Sequence, residues 1–264
     1  MRAFPIAMTV AACAACTSPP PPPFHPAGSD PVTGVTDRFR VDDILLPSTM
    51  ALATSFGSAV LGEDDVNNAL GFLIAGLAGD NDVDTDAQVR ALIGSGAVAS
   101  EVDLTYSDEG DSAVGMQYIG EPGDDPTMIL GAQQADGSVA ASGLQAGATD
   151  VVLPVFVGAA PSTVYFDFAQ FELTPDGSGS GYVARIQGLV DPGAAVVATC
   201  TGVEQMIASD PASHEPLEQL VGSAYDTCVA SNAVRSLLAP DVQAADGAMY
   251  LSFGFGVHLA PIAE

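Results

Sequence analysis

From Val98 onward, apolar residues recur at every second position, in short runs that turn sequences interrupt. A period of two puts alternate side chains on opposite faces of a strand, so it predicts strands with one buried face. The turns include Glu121-Pro122-Gly123-Asp124 and Asp176-Gly177-Ser178-Gly179. Many short strands with such turns predict an antiparallel β-sandwich or jelly-roll-like core. The candidate strands are Val98–Tyr106, Ala113–Ile119, Thr127–Gly131, Val139–Ser142, Val151–Val157, Thr163–Phe168, Phe171–Leu173 and Tyr182–Leu189.

Helices are predicted in two places, after a first strand at Phe39–Leu46 and before a final strand at Ala248–Leu259. The early pair covers about 66–78, capped by Asp64 or Asp65, and about 85–93, where Thr85 and Gln88 form a capping box and Gly94 ends the helix. The late group covers about 192–208, 215–230 and 231–238, with Asp191 as the first cap and Pro192 in the first turn. The predicted class is α+β, with helices inserted after the first strand and before the last.

The N-terminus has the layout of an export signal. Met1-Arg2 supplies a positive charge, and Ala3–Ala12 is apolar. The stretch VAAC at 10–13 resembles a bacterial lipobox and implies lipidation of Cys13; CAAC at 13–16 makes Cys16 the alternative. An ordinary cleaved signal with two incidental cysteines is the competing interpretation.

Three segments follow from these patterns. Residues 1–16 form the lipoprotein signal and lipobox, and 17–36 form a proline-rich spacer of extended polyproline II. A proline-recognition ligand is the alternative interpretation of the spacer. Residues 37–264 form one acidic globular domain: 37–190 is β-rich, 191–240 is helical, and 247–259 is the final strand.

The charge balance excludes some partners. The chain has 33 acidic and six basic residues, a net charge of −27. Such a surface repels phosphate backbones, so we expect no nucleic-acid binding. It also disfavours adhesion to anionic lipids without a covalent anchor. The acidity serves solubility or salt adaptation, or else it attracts divalent cations or a basic protein partner.

Cys200 and Cys228 remain after export, an even pair on neighbouring predicted helices. An oxidising compartment favours a disulfide between them. Two buried free thiols are the alternative.

Familiar catalytic motifs are absent from the sequence. There is no Gly-x-Ser-x-Gly elbow and no phosphate-cradling glycine loop. His25 lies in the spacer, so His214 and His258 are the candidate bases, and His214-Glu215-Pro216 lacks the second histidine of a zinc-protease motif. A hydrolase with paired carboxylates stays open, because such acids need no local spacing.

Alternating aspartates suggest a calcium loop. Asp80, Asp82, Asp84 and Asp86 resemble the start of a loop that binds Ca²⁺ through carboxylate oxygens. The sixth position is Thr85 instead of glycine, and the twelfth is Ala91 instead of glutamate. The competing interpretation is a solvated acidic turn that caps the helix at Thr85. No other cofactor is indicated.

The stretch from Phe39 to Glu121 resembles secreted lipoproteins of myxobacteria and related marine bacteria. The resemblance rests on Ile44-Leu45-Leu46-Pro47, on Asn67-Asn68-Ala69-Leu70-Gly71 opening a helix, and on the strand Val98–Tyr106. The alternating aspartates of that pattern do not carry over, because Ala59, Leu61, Glu63 and Asn67 stand in their places. The resemblance implies export and a lipid anchor, and no particular activity.

Together these features predict a cell-envelope lipoprotein, held at the outer membrane by its lipid anchor or displayed on the extracellular face. We expect a non-catalytic binding or structural module. The alternatives are a secreted hydrolase and a calcium-dependent adhesion module.

Overall fold

The structure is a computed structural model. It describes residues 32–57, 67–81, 85–110, 112–119, 127–153, 162–209, 218, 222, 224–244 and 246–262. Among the helices in these ranges, none is long and apolar enough to cross a membrane.

Strands account for more of the described residues than helices do. They are β1 (Gly34–Leu45), β2 (Glu101–Ser107), β3 (Ala113–Ile119), β4 (Thr127–Gln133), β5 (Val139–Leu153), β6 (Ser162–Pro175), β7 (Tyr182–Val190), β8 (Val242–Gln243) and β9 (Met249–Pro261). The helices are α1 (Met50–Phe56), α2 (Ala69–Asn81), α3 (Thr85–Ser95), α4 (Pro192–Ser209), α5 (Tyr225–Ala230) and α6 (Asn232–Leu237).

The strands form a closed antiparallel barrel of eight strands. From β1 to β7 each strand pairs with the next, β7 pairs with β9, and β9 pairs with β1. In that closing pair Phe39 lies opposite Pro261 and Leu45 opposite Gly256. The predicted sandwich or jelly-roll is therefore wrong. Sandwiches and barrels both bury one face of each strand, so the same alternating pattern serves either, and only the β1–β9 pairing separates them.

The inward faces of the strands form an apolar core. Ile186 lies opposite Phe171 on β6 and opposite Phe255 on β9, and all three side chains are buried. The rings of Phe253 and Phe255 stack with centroids 5.1 Å apart, and Phe166 stacks on both at 6.2 and 6.3 Å. Such aromatic contacts add to the free energy of burial. These side chains therefore make the barrel interior a packed hydrophobic core.

The two ends of the barrel are built differently. The connections from β2 to β3, from β4 to β5 (134–138) and from β6 to β7 (176–181) lie at one end of the barrel, which we call the turn end. The stretch between β1 and β2 contains α1–α3, and the stretch between β7 and β8 contains α4–α6. Because the strands alternate in direction, both stretches leave from the opposite end, which we call the helix end.

Helix α1 lies against the outer face of β9, at two glycines that have no side chain. A Cβ on Gly254 would come within 2.1 Å of the Phe56 carbonyl oxygen, and one on Gly256 within 2.9 Å of the Phe56 ring. The end of α1 is also held by Arg185, whose Nη1 donates to the Ser55 carbonyl at 3.3 Å. Glycine at these two β9 positions therefore allows the helix to touch the barrel wall.

Several predicted boundaries need correction. Helix α2 begins after Asn68, whose Oδ1 accepts a hydrogen bond from Gly71 N at 3.1 Å, instead of after Asp64 or Asp65. Helix α3 runs past Gly94 to Ser95 and ends at Gly96, which has a φ of 76°. Only a positive φ needs glycine at such a terminus, and Gly96 is the residue that has one.

The strands between 139 and 175 were divided too finely. Predicted strand Val139–Ser142 and residues 151–153 of predicted strand Val151–Val157 lie in the single strand β5, and residues 154–157 lie outside the described residues. Predicted strands Thr163–Phe168 and Phe171–Leu173 both lie in β6. Register shifts between Leu144 and Thr149 and between Phe166 and Phe168 explain the error, because a bulge breaks the alternation without ending the strand.

Candidate functional site

A histidine bound by two carboxylates lies on the outer face of the barrel. His258 is on β9, next to the seam where β9 pairs with β1. Its Nδ1 lies 2.5 Å from Oδ1 of Asp42, and its Nε2 lies 3.1 Å from Oδ2 of Asp176. The His258 side chain is 33% exposed, so the cluster is reached by solvent but only in part. We call Asp42, His258 and Asp176 the carboxylate–histidine cluster.

Local backbone irregularities bring these three residues together. The β1–β9 register shifts between Val41 and Asp43, which leaves Asp42 as the extra residue of a β-bulge. A bulge re-aims a side chain, and here it turns Asp42 towards the imidazole. Asp176 follows β6 directly and starts the turn to β7. The cluster thus joins the first strand, the last strand and one hairpin turn.

The Asp176 carboxylate is held by its own turn. Oδ1 accepts a hydrogen bond from Ser178 N at 2.7 Å, and Oδ2 accepts one from Ser178 Oγ at 2.9 Å. These bonds, with a smaller contribution from His258, lower the pKa of Asp176. The hydrogen bond with Asp42 is the main cause that raises the pKa of His258, and burial opposes it. Both shifts favour a carboxylate beside an imidazolium.

The arrangement suits an ionic contact better than base catalysis. A general base needs a ring nitrogen free to take a proton from substrate, and both nitrogens of His258 face carboxylates. A catalytic triad places histidine between the carboxylate and the hydroxyl. Here the Asp176 carboxylate lies between Ser178 and His258. The cluster can therefore store one proton and bind three chain segments through it.

A second polar cluster fixes the start of α2 to the barrel. Asn68 is buried; its Oδ1 accepts from Gly254 N at 2.8 Å, and its Nδ2 donates to the carbonyls of Gly254 at 3.1 Å and Ala53 at 2.8 Å. Next to it, Ser252 Oγ accepts from Ala69 N at 2.9 Å and donates to Asp241 Oδ2 at 2.5 Å. This gives the segment Asn68-Ala69-Leu70-Gly71 a structural role in this chain.

Two tyrosines meet near the turn end. The hydroxyl oxygens of Tyr106 and Tyr182 are 3.0 Å apart. Burial, followed by the bond with Tyr182, raises the pKa of Tyr106, so its hydroxyl stays protonated at neutral pH. The Tyr182 ring also meets the Phe39 ring edge-on at 5.3 Å. These contacts extend the packed interior and leave the pair as part of the core.

The predicted disulfide is confirmed. Cys200 on α4 and Cys228 on α5 are bonded, and both are buried. The prediction worked because each cysteine falls on one of two neighbouring helices. The predicted cap of α4 is confirmed too, since Asp191 Oδ1 accepts a hydrogen bond from Ala194 N at 2.7 Å.

Other predicted site residues lie outside what the structure describes. These are Cys13, Cys16, His25 and His214, together with Asp82 and Asp84. Asp80 and Asp86 lie in helices α2 and α3, and their side chains are not described. Within the described part of the chain, no group of three or more His, Cys, Asp or Glu residues could hold a metal ion. The calcium loop stays a prediction.

Sequence reasoning missed two members of the carboxylate–histidine cluster. It named His258 as a possible base but attached no role to Asp42 or Asp176. Asp42 and His258 are 216 positions apart, so their meeting depends on the closure of the barrel. The one local signal was Asp176-Gly177-Ser178, a turn whose aspartate hydrogen-bonds its own backbone two residues on.

Comparisons with family models, with curated proteins and with solved structures give no match for this chain. Any statement about its role therefore comes from its own residues.

Proposed function

We propose that this protein is a cell-envelope lipoprotein that displays a closed β-barrel on a proline-rich stalk, with a binding or structural role in place of catalysis. The anchor is a lipidated Cys13, with Cys16 as the alternative residue. The lipid is the contact with the membrane. The protein or cation partner meets the outer surface of the barrel.

The observation that carries the proposal is the buried Cys200–Cys228 disulfide. Disulfides persist in exported proteins and are rare in the reducing cytoplasm. The bond thus supports export independently of the signal-like residues 1–16. Export together with a lipobox favours a lipoprotein over an ordinary secreted protein, because the lipobox supplies a lipidation site in addition to the export signal.

The start of the described chain supports attachment by the turn end. The Thr33 carbonyl accepts a hydrogen bond from Asp108 N at 3.1 Å, and the Val32 side chain lies beside Gly115. Both contacts are at the turn end, so the stalk would join the barrel there. Exposed Asp108, Glu109 and Asp136 on nearby turns would be repelled by anionic headgroups, which favours a stalk that keeps the barrel clear of the lipid.

The filled interior supports contact through the outside. Eight-stranded barrels either fill their interior with side chains or keep room for one small ligand. In this barrel the aromatic stack of Phe166, Phe253 and Phe255 occupies the interior, and each of the three is at most 1% exposed. A partner would then bind the loops, the helices or the acidic outer wall.

The test is the fate of the protein when its candidate lipidation sites are removed. We expect Cys13→Ser with Cys16→Ser to move the protein from the membrane fraction to the soluble fraction, because the acyl chains supply the membrane affinity. Fractionation and mass spectrometry of the mature N-terminus measure the outcome. The single variants Cys13→Ser and Cys16→Ser identify which cysteine carries the lipid.

Cys200→Ala with Cys228→Ala is the matched control, since it removes two cysteines and leaves both candidate anchors in place. It should stay in the membrane fraction. A wild-type protein found in the cytosol with Met1 intact and no acyl group would end the proposal.

A further inference from the structure

We propose that His258 is a protonation-dependent clasp on the seam of the barrel, closed when both ring nitrogens carry protons and released when one is lost. Such a clasp is separate from the proposed envelope role and does not depend on the lipid anchor.

The clasp lies where it can affect the closure of the barrel. The β1–β9 pair is the one that closes the barrel, because it joins the first long strand to the last. Its register is interrupted between Val41 and Asp43, so regular pairing is lost where Asp42 lies. The hydrogen bond from His258 to Asp42 spans this interruption. A side-chain contact thus replaces part of the backbone pairing that the bulge removes.

The second nitrogen links the seam to a turn. Asp176 Oδ2 reaches Nε2 of His258 from the turn between β6 and β7. This turn is tightly packed, because a Cβ on Gly181 would lie 2.6 Å from Asp176 Oδ2 and 2.8 Å from the Leu259 carbonyl oxygen. A displacement of Asp176 would therefore also affect the packing of the turn against Leu259 on β9.

Two carboxylates can be satisfied together only by the doubly protonated ring. A neutral imidazole has one N–H donor and one lone pair, so one carboxylate would face that lone pair. The neutral form therefore loses one hydrogen bond and gains an unfavourable contact. The imidazolium donates from both nitrogens, and both bonds are charge-assisted.

The charged groups around His258 also favour the protonated ring. On β1, Asp43 lies opposite His258 in the register, next to Asp42 in sequence. Arg90 on α3 faces Asp43, with its Nε 3.8 Å from Asp43 Oδ1. Arg40 on β1 lies opposite Ala260, two residues along β9. On β7 the opposite residue is the uncharged Val183, and the turn contributes Asp176. Carboxylates therefore outnumber cations beside the ring.

The direction of the pH effect follows from linkage. The pKa of His258 is raised in the folded protein, mainly by Asp42. Its contribution to stability is complete below the ordinary histidine pKa of about 6.5 and is lost as the pH rises through the higher folded value. The lowered pKa of Asp176 adds stability above the ordinary aspartate range, and this is lost only in acid. The clasp is thus closed below the ordinary histidine pKa, while Asp176 is ionised, and it releases as the pH rises through the higher folded pKa of His258.

The experiment follows the ring and the turn by NMR in the full chain as pH rises. We expect the Cε1–H resonance of His258 to titrate with a midpoint above about 6.5. The Ser178 amide, which donates to Asp176, should shift with the same midpoint. Asp42→Asn should lower the midpoint more than Asp176→Asn, because the bond to Asp42 is the shorter.

The chain contains its own matched control. In the turn between β4 and β5, Asp136 Oδ1 accepts from Ser138 N at 3.0 Å and from Ser138 Oγ at 2.7 Å, which resembles the turn at Asp176. In both turns the serine N–H and O–H donate to the aspartate carboxylate, but of these two aspartates only Asp176 contacts His258. The Ser138 amide should therefore stay still over the pH range in which the Ser178 amide moves.

Variants test the link to the seam. His258→Gln should abolish two effects of rising pH: the fall in the urea midpoint of unfolding and the shift of the Ser178 amide resonance. His214→Gln should leave both effects unchanged. If His258→Gln does not fold, Asp176→Asn alters only a turn residue and should still uncouple Ser178 from the histidine titration. A wild-type midpoint at or below about 6.5, or equal responses of Ser138 and Ser178, would overturn the proposal.

Discussion

The two helical insertions leave the same end of the barrel but are fastened in different ways. The first, α1–α3, is tied to β9 by hydrogen bonds, and one buried amide, that of Asn68, makes several of them. The second, α4–α6, is tied within itself by the Cys200–Cys228 disulfide and packs on the core through buried apolar residues such as Val203 and Val234. One insertion depends on polar geometry, and the other depends on a covalent bond and burial.

The difference bears on how each insertion can fail. A hydrogen-bonded anchor in a buried site leaves unsatisfied backbone groups behind when it is removed, and each costs free energy. A disulfide acts mainly on the unfolded chain, so its loss lowers stability without leaving polar groups unpaired. The first insertion should therefore be sensitive to a single side chain, whereas the second should tolerate the same kind of change and respond to the redox state.

The largest effect is expected at Asn68. Asn68→Ala removes the acceptor for Gly254 N and the donors for two carbonyls, all in a buried site. At 1–3 kcal/mol for each group left unsatisfied, we expect a loss of about 4 kcal/mol in the free energy of unfolding. Urea denaturation measures it.

Asn232→Ala is the matched control, because Asn232 is an exposed residue at the start of α6. It should change stability by less than about 0.5 kcal/mol. If Asn68→Ala also cost so little, packing of Leu70 and Ile74 would hold the first insertion, and the contrast between the insertions would disappear.

The next effect is expected at the disulfide. The bridge spans a sequence separation of 28, and replacing both cysteines by alanine should cost about 3 kcal/mol. Urea denaturation of Cys200→Ala with Cys228→Ala measures this loss. Reductant should destabilise the wild type by a similar amount and leave the double variant unchanged.

An oxidised wild type that is no more stable than the double variant would mean that burial alone holds the second insertion. The two insertions would then differ only in that apolar packing holds the second and hydrogen bonds hold the first.

Local sequence predicted the elements of this fold better than their assembly. The strand Ala113–Ile119 and the start of α4 at Pro192 were predicted at the observed positions, because turn residues and a cap mark them locally. Helix α1 was missed: seven residues with no acidic first turn give little periodic signal. Closure of the barrel could not be predicted from local sequence, since it depends on the pairing of β1 with β9, which lie at opposite ends of the described chain.

The candidate site follows the same rule. Cys200 and Cys228 could be paired from the sequence, because two neighbouring helices carry them. Asp42 reaches His258 only because a bulge turns it, and Asn68 reaches Gly254 across 186 positions. Contacts that require the closed barrel carry no local pattern, so they appear only once the strands are paired.

The smallest effect compares the first cap of each insertion. Thr49 Oγ1 accepts from Leu52 N at 3.2 Å at the start of α1, and Asp191 Oδ1 accepts from Ala194 N at 2.7 Å at the start of α4. Replacing either cap by alanine should cost about 1 kcal/mol. We expect Asp191→Ala to cost more than Thr49→Ala, because the carboxylate also interacts with the positive end of the helix dipole.

Asp191→Asn separates the two contributions, since the amide keeps an acceptor and removes the charge. In thermal or urea unfolding at low salt, Asp191→Asn should show part of the destabilisation that Asp191→Ala causes. At high salt its stability should approach that of the wild type, because salt screens the interaction with the helix dipole. If Thr49→Ala proved the costlier change, the start of α1 would be a weak point of the first insertion in addition to Asn68. That result would strengthen the contrast, because two local hydrogen-bonding side chains would then hold the insertion that lacks a covalent bond.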